Sequence, residues 1–275
     1  MLINILTYNI SWATQVNKML GSEADFVEAC QKKYKKGGLQ CIKNAISNIN
    51  KLKHLDLVGL QEVNSDIENE IMKKHMNLKK FTRGTIGLST VSTLWNPDIF
   101  GELLNKETIN LMKGEDRPCL ILVFKKNEQI FIIINLHMPW GENRDYAIKT
   151  LNNFIKKHKI KNHVFNKNAK IIMIGDFNDA NTVINKNNPL ILKHNKNTIK
   201  LKYNKTKAQS IKTLKSCCWH KPKHKYKYFD DTGDYILVNK NIKQKSIKIP
   251  KIFRKAGRTN RLFSDHMPVI STLKI

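Results

Sequence analysis

Short apolar runs alternate with longer amphipathic segments along this chain. The apolar runs have the length of buried strands. They predict strands at 3–10, 55–62, 87–95, 119–124, 130–136, 170–175, 235–239 and 269–273. Apolar residues three or four positions apart predict helices at 67–76 and 143–158, and helical material across 23–53 with one face formed by Leu39, Ile42, Ile46 and Ile49. A turn is predicted at 96–98.

The order of these elements predicts an α/β chain folded as a single domain over residues 1–275. The strands at 119–124 and 130–136 are expected to pair as a hairpin, because only a short polar segment separates them. Residues 181–207 are dense in Asn and Lys, and we interpret them as a variable insertion or an exposed hairpin. No run of 18 apolar residues occurs, so no membrane span is predicted.

Polar side chains of a particular kind lie at the ends of the predicted strands. A single carboxylate in such a place is usually a turn or cap residue. Here the pattern repeats along the chain, and neighbouring strands would bring the side chains together at one edge of a sheet. The residues are Glu62, His137, Asp176, Asn178, Asp234, Asp265 and His266.

These residue types favour metal-assisted hydrolysis of a phosphate ester. Glu62 and Asp265 offer hard oxygen ligands, which Mg²⁺ combines with waters and substrate phosphate oxygens. Mn²⁺ would be a substitute. Asp234 and His266 suit a carboxylate–imidazole pair that orients or protonates the ring. Asp176 is a candidate to accept a proton from water. The bound cation would polarise the phosphoryl group and stabilise the leaving oxyanion.

Six motifs, in this order, resemble the endonuclease/exonuclease/phosphatase superfamily, the DNase I-like proteins. They are Thr-Tyr-Asn at 7–9, Leu-Gln-Glu-Val at 60–63, Asn-Leu-His at 135–137, Gly-Asp-Phe-Asn at 175–178, Asp-Tyr-Ile-Leu at 234–237 and Ser-Asp-His-Met-Pro-Val at 264–269. The resemblance covers almost the whole chain. It implies an α/β fold in which two packed mixed β-sheets are flanked by helices as a four-layer α/β/β/α sandwich, with the site at one end.

The resemblance also implies a metal site. Glu62 is similar to the principal Mg²⁺ ligand of the superfamily, with Asn9 and Asp265 nearby. Some members carry an acidic ligand two residues after the Asn of the first motif. This chain has Ser11 at that position, so the resemblance leaves a second metal ion open.

The remaining motif residues are expected to act on the phosphate. Asp176 and Asn178 resemble the pair that handles the nucleophilic water and the phosphate. Asp234 and His266 resemble the hydrogen-bonded pair on the scissile phosphate. His137 resembles the second histidine, which binds phosphate or assists the leaving group. A carboxylate that often supports this histidine cannot be identified in the sequence.

Three further features bear on substrate binding. Arg117 lies where some nuclease-like members place a phosphate-contacting arginine. Trp140 and Trp219 are interpreted either as base-stacking residues or as packed core residues. The segment 216–232 is unlike the common members, and it is a candidate to shape the substrate pocket.

The chain is strongly basic, with a formal net charge of +27. Such a charge favours polyanions and suits nucleic acid. A codon bias toward Lys, Asn and Ile would produce the same charge without any binding function. Three arginines, Arg254, Arg258 and Arg261, are clustered, and they suit either phosphate recognition or a solvated basic loop.

The five cysteines and the N-terminus favour a cytoplasmic or nuclear protein that is not secreted. The cysteine count is odd, and the first residues run directly into a strand pattern without a signal sequence. Reduced thiols are therefore expected. Cys217 and Cys218 with His220 and His224 would be an alternative zinc site, but their spacing is unlike that of common zinc motifs.

The leading hypothesis is a Mg²⁺-dependent phosphodiesterase acting on nucleic acid. Asp-Tyr-Ile-Leu at 234–237 favours resemblance to deadenylase-like or tyrosyl-DNA phosphodiesterase-like members. An enzyme acting on inositol phosphates or phospholipids is the alternative. A non-catalytic nucleic-acid-binding module on the same scaffold is a hypothesis of another class. It predicts the loss of acidic residues, which this sequence retains.

Overall fold

Two packed β-sheets form the centre of the fold, and helices flank them. The structure is a computed structural model. It describes residues 1–19, 23–63, 67–141, 143–157, 168–178, 190–194, 197–201, 216–219, 229–231, 233–253 and 263–275. The predicted α/β architecture of two mixed sheets is confirmed.

The first sheet has six strands in the order β14-β15-β1-β2-β4-β3. Only β1 and β2 run parallel, and every other pair in this sheet is antiparallel. The strands are β1 (Leu2–Asn9), β2 (Leu57–Gln61), β3 (Lys80–Ile86), β4 (Ser89–Trp95), β14 (Lys243–Lys248) and β15 (Val269–Lys274).

The second sheet has five strands in the order β13-β8-β7-β6-β5. It also contains one parallel pair, formed by β7 and β8. The predicted hairpin is present, because β6 and β7 pair antiparallel. The strands are β5 (Glu102–Asn110), β6 (Pro118–Lys126), β7 (Gln129–His137), β8 (Lys170–Asp176) and β13 (Asp234–Val238).

Two short hairpins lie outside these sheets. One pairs β9 (Leu190–His194) with β10 (Asn197–Leu201), and the other pairs β11 (Cys217–Trp219) with β12 (Phe229–Asp231). The first hairpin falls within the segment 181–207 that we interpreted as an insertion. The rest of that segment lies outside the described residues, and the domain boundaries stay a prediction.

Apolar side chains and one polar bridge join the two sheets. A Cβ at Gly59 would overlap the Ile174 side chain, so glycine permits this close approach. Gln61 Nε2 donates to Asn135 Oδ1 across the interface at 2.7 Å, and Asn135 Nδ2 donates to the Ser92 carbonyl oxygen at 2.9 Å. Both side chains are buried. Because the buried polar groups are paired, the bridge fixes the register of one sheet on the other.

Six helices lie within the described residues, and they follow the amphipathic pattern with two differences. Leu39 is 50% exposed, so the buried face of α3 turns to Cys41 and Ala45 together with the predicted isoleucines. The predicted turn at 96–98 instead opens a short helix, capped by the Asn96 side chain. The helices are α1 (Trp12–Gln15), α2 (Ala24–Lys33), α3 (Gly38–Ile49), α4 (Ile67–Met72), α5 (Pro97–Phe100) and α6 (Asn143–Lys157).

A disulfide joins Cys30 of α2 to Cys41 of α3. This corrects the expectation of reduced thiols for that pair, while Cys119 is a buried free thiol. His220 and His224 of the alternative zinc site at 217–224 lie outside the described residues. In the part of the chain that the structure describes, no helix is long and apolar enough to cross a membrane.

Candidate active site

The two parallel strand pairs bring four polar residues together. The carboxyl ends of β1 and β2 carry Asn9 and Glu62, and those of β7 and β8 carry His137 and Asp176. Asn9 Nδ2 donates to Glu62 Oε1 and to Asp176 Oδ2, at 2.9 Å in each case. One amide of the first sheet therefore joins the acidic residues of both sheets.

Glu62 is held in place by the segment that follows β1. It has a φ of 57°, in the left-handed region that only a few non-glycine residues adopt. The Trp12 backbone N–H donates to Glu62 Oε2 at 2.8 Å, and Gln15 Nε2 donates to the Glu62 carbonyl oxygen at 2.5 Å. Such a backbone conformation persists where surrounding contacts enforce it, and it is common at functional sites.

The Gly-Asp-Phe-Asn segment makes a tight turn at the end of β8. A Cβ at Gly175 would overlap the Leu136 carbonyl oxygen, so only glycine fits beside β7 here. The Asn178 backbone N–H donates to Asp176 Oδ1 at 2.8 Å, and Asn178 Nδ2 donates to the Met138 carbonyl oxygen at 2.6 Å. These bonds fix the Asp176 carboxylate and leave the Asn178 side-chain oxygen as an acceptor.

His266 lies between two carboxylates. Its Nδ1 is 3.0 Å from Asp234 Oδ2, and its Nε2 is 3.6 Å from Asp176 Oδ2. The sheet register explains the arrangement, because Asp234 at the start of β13 pairs directly with Asp176 at the end of β8. Burial alone would lower the pKa of His266, but the charges of Asp234, Asp176 and Asp265 raise that pKa well above 6.5. The ring therefore carries both protons at neutral pH.

His137 has a different protonation state. Arg117 Nη1 lies 3.0 Å from His137 Nε2. A guanidinium can only donate, so Nε2 accepts and the neutral ring carries its proton on Nδ1. Burial lowers the pKa of His137, in agreement with a neutral ring. In the described structure, Nδ1 is buried without a hydrogen-bond partner.

Two further carboxyl groups lie close to Glu62. Burial and the charge of Glu62, opposed by His266, raise the pKa of Asp265 to about 6. Burial and the same Glu62 charge raise the pKa of Glu23 to about 9. Ser264 Oγ donates to the Asn9 carbonyl oxygen at 2.9 Å and lies 3.2 Å from Asp265 Oδ1. The carboxyl groups thus influence one another strongly.

A hard divalent cation fits this donor set. Buried carboxylates that face one another need a counter-charge, and oxygen donors are what Mg²⁺ prefers. Among the described residues, Asp176, Asp234 and His266 form a group whose potential ligand atoms all lie within 4.8 Å of one another. We interpret that group as proton-handling, because two carboxylates face the two nitrogens of one imidazole. Glu62 and Asp265 stay predicted cation ligands.

Solved structures with the same architecture are numerous and distant in sequence. No protein-family model matches this sequence, and no curated protein matches it. An endonuclease/exonuclease/phosphatase from Bacteroides vulgatus is 18% identical, with 100% of this chain and 99% of that chain covered and a TM-score of 0.62. This chain has the endonuclease/exonuclease/phosphatase fold.

Two other structures with the endonuclease/exonuclease/phosphatase fold were solved with ligands. D. rerio TDP2, in complex with single-strand DNA product, is 15% identical, with 100% of this chain and 99% of that chain covered and a TM-score of 0.59. ANGEL2, a 2′,3′-cyclic phosphatase in complex with adenosine-2′,3′-vanadate, is 14% identical, with 99% of this chain and 95% of that chain covered and a TM-score of 0.66.

All nine residues proposed from the sequence lie at the same end of the sheets. Asn9, Glu62, Asp176 and His266 are linked by the contacts above, and Arg117 joins them through His137. The remaining three are Asn178, Asp234 and Asp265. Their chemical roles stay predictions.

Other candidate residues have different outcomes. Trp140 is 45% exposed, which excludes the core-packing alternative for it. The cluster of Arg254, Arg258 and Arg261 and most of the segment 216–232 lie outside the described residues. Glu23 was missed, because it belongs to no motif and stands before an ordinary amphipathic helix.

Proposed function

We propose that this chain is a divalent-metal-dependent phosphodiesterase that hydrolyses phosphate ester bonds in nucleic acid. The observation that carries the proposal is the position of Asp176 Oδ2. It accepts from Asn9 at 2.9 Å and lies 3.6 Å from His266 Nε2 and 3.9 Å from His137 Nε2. A carboxylate between two imidazoles and beside a second acid suits proton transfer at a phosphate.

Asp176 is the proposed general base. Its two oxygens are oriented by the Asn178 backbone and the Asn9 amide, so the carboxylate is fixed before substrate binds. The Asn178 side-chain oxygen would orient the attacking water. Fixing the base and the water in this way lowers the entropic cost of the reaction.

His266 is the proposed electrostatic partner of the phosphate. Asp234 holds the ring through Nδ1, which leaves Nε2–H to donate to a phosphoryl oxygen as negative charge develops. Arg117 would add a fixed positive charge. His137 would accept from Arg117 through Nε2 and so hold that cation beside the phosphate.

Glu62 and Asp265, with Asn9, would hold Mg²⁺, and Mn²⁺ would substitute for it. The cation would supply Lewis-acid polarisation of the phosphoryl group and charge stabilisation of the leaving oxygen. The Asn9 amide would also orient Glu62 for binding, since Nδ2 donates to it at 2.9 Å. Ligand orientation by such hydrogen bonds commonly determines metal affinity.

Nucleic acid is the proposed substrate class, and two features support it. The formal net charge of +27 favours a polyanion. D. rerio TDP2 holds single-strand DNA product and ANGEL2 holds an adenosine vanadate. Deadenylase-like and tyrosyl-DNA phosphodiesterase-like activities are both within this proposal.

Hydrolysis of a generic phosphodiester with and without Mg²⁺ tests the proposal. We expect metal-dependent turnover in the unaltered protein and a loss of roughly 10²–10⁴-fold in kcat for Asp176→Asn and for His266→Ala. Asp98→Asn is a matched control, because it removes an exposed acid that pairs with Lys79. Nucleic-acid binding without any metal-dependent turnover would favour the non-catalytic module instead.

A substrate panel chooses among phosphate esters. It contains single- and double-stranded DNA, RNA, poly(A), a 5′-tyrosyl oligonucleotide and an inositol polyphosphate, each with Mg²⁺. We expect the highest kcat/KM on a nucleic acid. Exclusive turnover of the inositol polyphosphate would contradict the proposed substrate class while leaving the hydrolase intact.

A further inference from the structure

Ser216 lies at the base of the hairpin formed by β11 and β12. It immediately precedes β11, and Asp234 at the start of β13 follows β12 after two residues. The Ser216 hydroxyl oxygen accepts hydrogen bonds from two backbone N–H groups, that of Gly233 at 3.3 Å and that of Asp234 at 3.1 Å. Ser216 is completely buried. One buried hydroxyl therefore holds the backbone at the point where Asp234 enters the sheet.

Ser216 also contacts the segment that carries His266. The backbone N–H of Met267, the residue after His266, donates to the Ser216 carbonyl oxygen at 2.6 Å. The side chain of Ser216 thus binds the backbone of Asp234, while its main chain binds the segment of His266. These two segments come from different parts of the sequence, and Ser216 joins them from a third.

The geometry of the Asp234–His266 pair depends on where these two backbones lie. Asp234 Oδ2 and His266 Nδ1 are 3.0 Å apart, and both side chains are buried. An aspartate side chain is short and adopts few staggered conformations, so its backbone largely determines the position of its carboxylate. A small shift of the Asp234 backbone would therefore lengthen the contact with the imidazole.

A buried serine can also have a purely structural role, and Ser271 of β15 provides the comparison. Its hydroxyl donates to the Ser246 carbonyl oxygen at 2.6 Å and accepts from Gln244 Nε2 at 2.9 Å. Ser271 is as completely buried as Ser216, but the strands that it joins carry no candidate site residue. Ser216 differs because both of its contacts lead to the same catalytic pair.

We propose that Ser216 is a positioning residue for the Asp234–His266 pair. Its hydroxyl fixes the backbone of Asp234 and its carbonyl oxygen fixes the segment of His266, so that carboxylate and imidazole meet in hydrogen-bonding distance. The inference rests on the proposed function, since it concerns the pair that would act on the phosphate. Ser216 itself makes no contact with substrate in this role.

Steady-state kinetics with Mg²⁺ and a generic phosphodiester test the inference. Ser216→Ala removes the hydroxyl and keeps the carbonyl oxygen. We expect kcat to fall roughly 10–100-fold, because a misplaced catalytic group is costly, while KM stays within about 2-fold. Ser271→Ala is the matched control, and its kcat should equal that of the unaltered protein, with rates measured well below the Tm of both variants. An unchanged kcat in Ser216→Ala, or an equal fall in Ser271→Ala, would overturn the inference.

A double variant shows whether Ser216 acts through the pair. In the His266→Ala background the imidazole is absent, so adding Ser216→Ala should lower kcat by less than about 2-fold. The competing route runs through Gly233, whose carbonyl oxygen accepts from the Phe177 N–H at 2.8 Å beside Asp176. The same fold loss in both backgrounds would indicate support of that turn and would contradict the role assigned to Ser216.

Proton NMR of the His266 Nδ1–H provides a measurement without substrate or metal. The hydrogen bond to Asp234 should protect this proton from exchange with water in the unaltered protein and in Ser271→Ala. In Ser216→Ala the signal should broaden or disappear, because the carboxylate is displaced. A signal that is equally sharp in Ser216→Ala would contradict the inference.

The outcomes separate this inference from the proposed function. If the unaltered protein hydrolyses a phosphodiester while Ser216→Ala keeps both its kcat and the Nδ1–H signal, only the role of Ser216 is wrong. If the unaltered protein turns over no phosphate ester but Ser216→Ala loses the signal, the proposed function fails, and Ser216 still positions the pair.

Discussion

His266 Nδ1 lies 3.0 Å from Asp234 Oδ2, while Nε2 of the same ring lies 3.6 Å from Asp176 Oδ2. Both ring nitrogens therefore face carboxylates, and the doubly protonated form is favoured. Asp234 and Asp176 are neighbours in the sheet register. The backbone pairing of β13 with β8 thus fixes the positions of the two carboxylates that face the His266 ring.

Replacing Asp234 with Asn should lower kcat and shift its pH dependence. We expect a loss of roughly 10²-fold or more, because the ring loses its orienting carboxylate. The raised pKa of His266 should fall toward 6.5. If Nε2–H donates to the phosphate, the alkaline limb of the kcat/KM profile moves to lower pH. Steady-state rates across the pH range measure both effects.

The same pair should contribute stability with a defined pH dependence. A histidine whose pKa is raised on folding stabilises the protein fully below its ordinary pKa of 6.5, and the contribution disappears as pH rises through the folded pKa. Burial raises the pKa of Asp234, so its charge is lost as pH falls further. The unaltered protein should therefore exceed Asp234→Asn in free energy of unfolding by more near pH 6.5 than at alkaline pH. Asp56→Asn is the control for activity, since Asp56 pairs with His54 away from the site. An unshifted alkaline limb in Asp234→Asn would contradict the assigned role.

Strands with a buried apolar run could be predicted from the sequence, and polar edge strands could not. The four strands of the two parallel pairs were each located from their apolar residues, although their pairing was not predicted. Three of the four edge strands of the two sheets were missed, since β3, β5 and β14 alternate or lack apolar residues. The fourth, β13, is a continuous apolar run and was predicted. An edge strand is defined by its partner, and a single sequence does not specify the partner.

The candidate site was predictable to the extent that motifs mark strand ends. The contacts of Asn9 with Glu62 and Asp176 follow from two parallel pairs that end at the same place. The contact of Glu23 with the Ser11 hydroxyl depends on how a helix packs across the site, and its sequence neighbours are ordinary. The tautomer of His137 depends on the position of Arg117, which comes from a different strand.

Replacing Asn9 with Ala should weaken metal binding. Its amide donates to two carboxylates that otherwise repel each other, so the oriented form of Glu62 becomes less populated. We expect an increase of about 10–100-fold in the Mg²⁺ concentration for half-maximal activity. Asn4→Ala in the same strand is the control, because Asn4 donates to His54 far along β1 from the site. An unchanged Mg²⁺ dependence in Asn9→Ala would contradict the role of Asn9 in orienting Glu62.

Arg117→Ala should reduce kcat/KM through two effects. The variant loses a cation beside the phosphate and the donor to His137 Nε2. A charge-assisted hydrogen bond contributes about 1.5–3 kcal/mol, or roughly 10–100-fold. Arg117→Lys should recover only part of the loss, because lysine lacks the planar fork that also reaches Glu115 at 3.1 Å. Lys113→Ala removes an exposed charge from the same loop, and it should leave kcat/KM unchanged.

Thiol counting tests the disulfide that the sequence did not predict. The chain has five cysteines, and the bond between Cys30 and Cys41 would leave three to react. Alkylation of the denatured, unreduced protein should therefore label three or fewer, and reduction should raise the number to five. In Cys30→Ala the bond cannot form, so reduction should release no additional thiol from this pair. Peptide mapping in which Cys30 and Cys41 are both alkylated before reduction would contradict the bond.

Arg83→Met should destabilise the protein far more than Lys79→Met. Arg83 makes two hydrogen bonds to Glu68, at 2.6 and 2.7 Å, and the Glu68 side chain is completely buried. Its removal leaves an uncompensated buried charge, at a cost of about 3–5 kcal/mol. Lys79 pairs with Asp98 where both side chains are exposed, so its loss should cost about 0–1 kcal/mol. Urea denaturation measures the two free energies of unfolding, and equal values would show that the Arg83–Glu68 pair contributes no more than a surface pair.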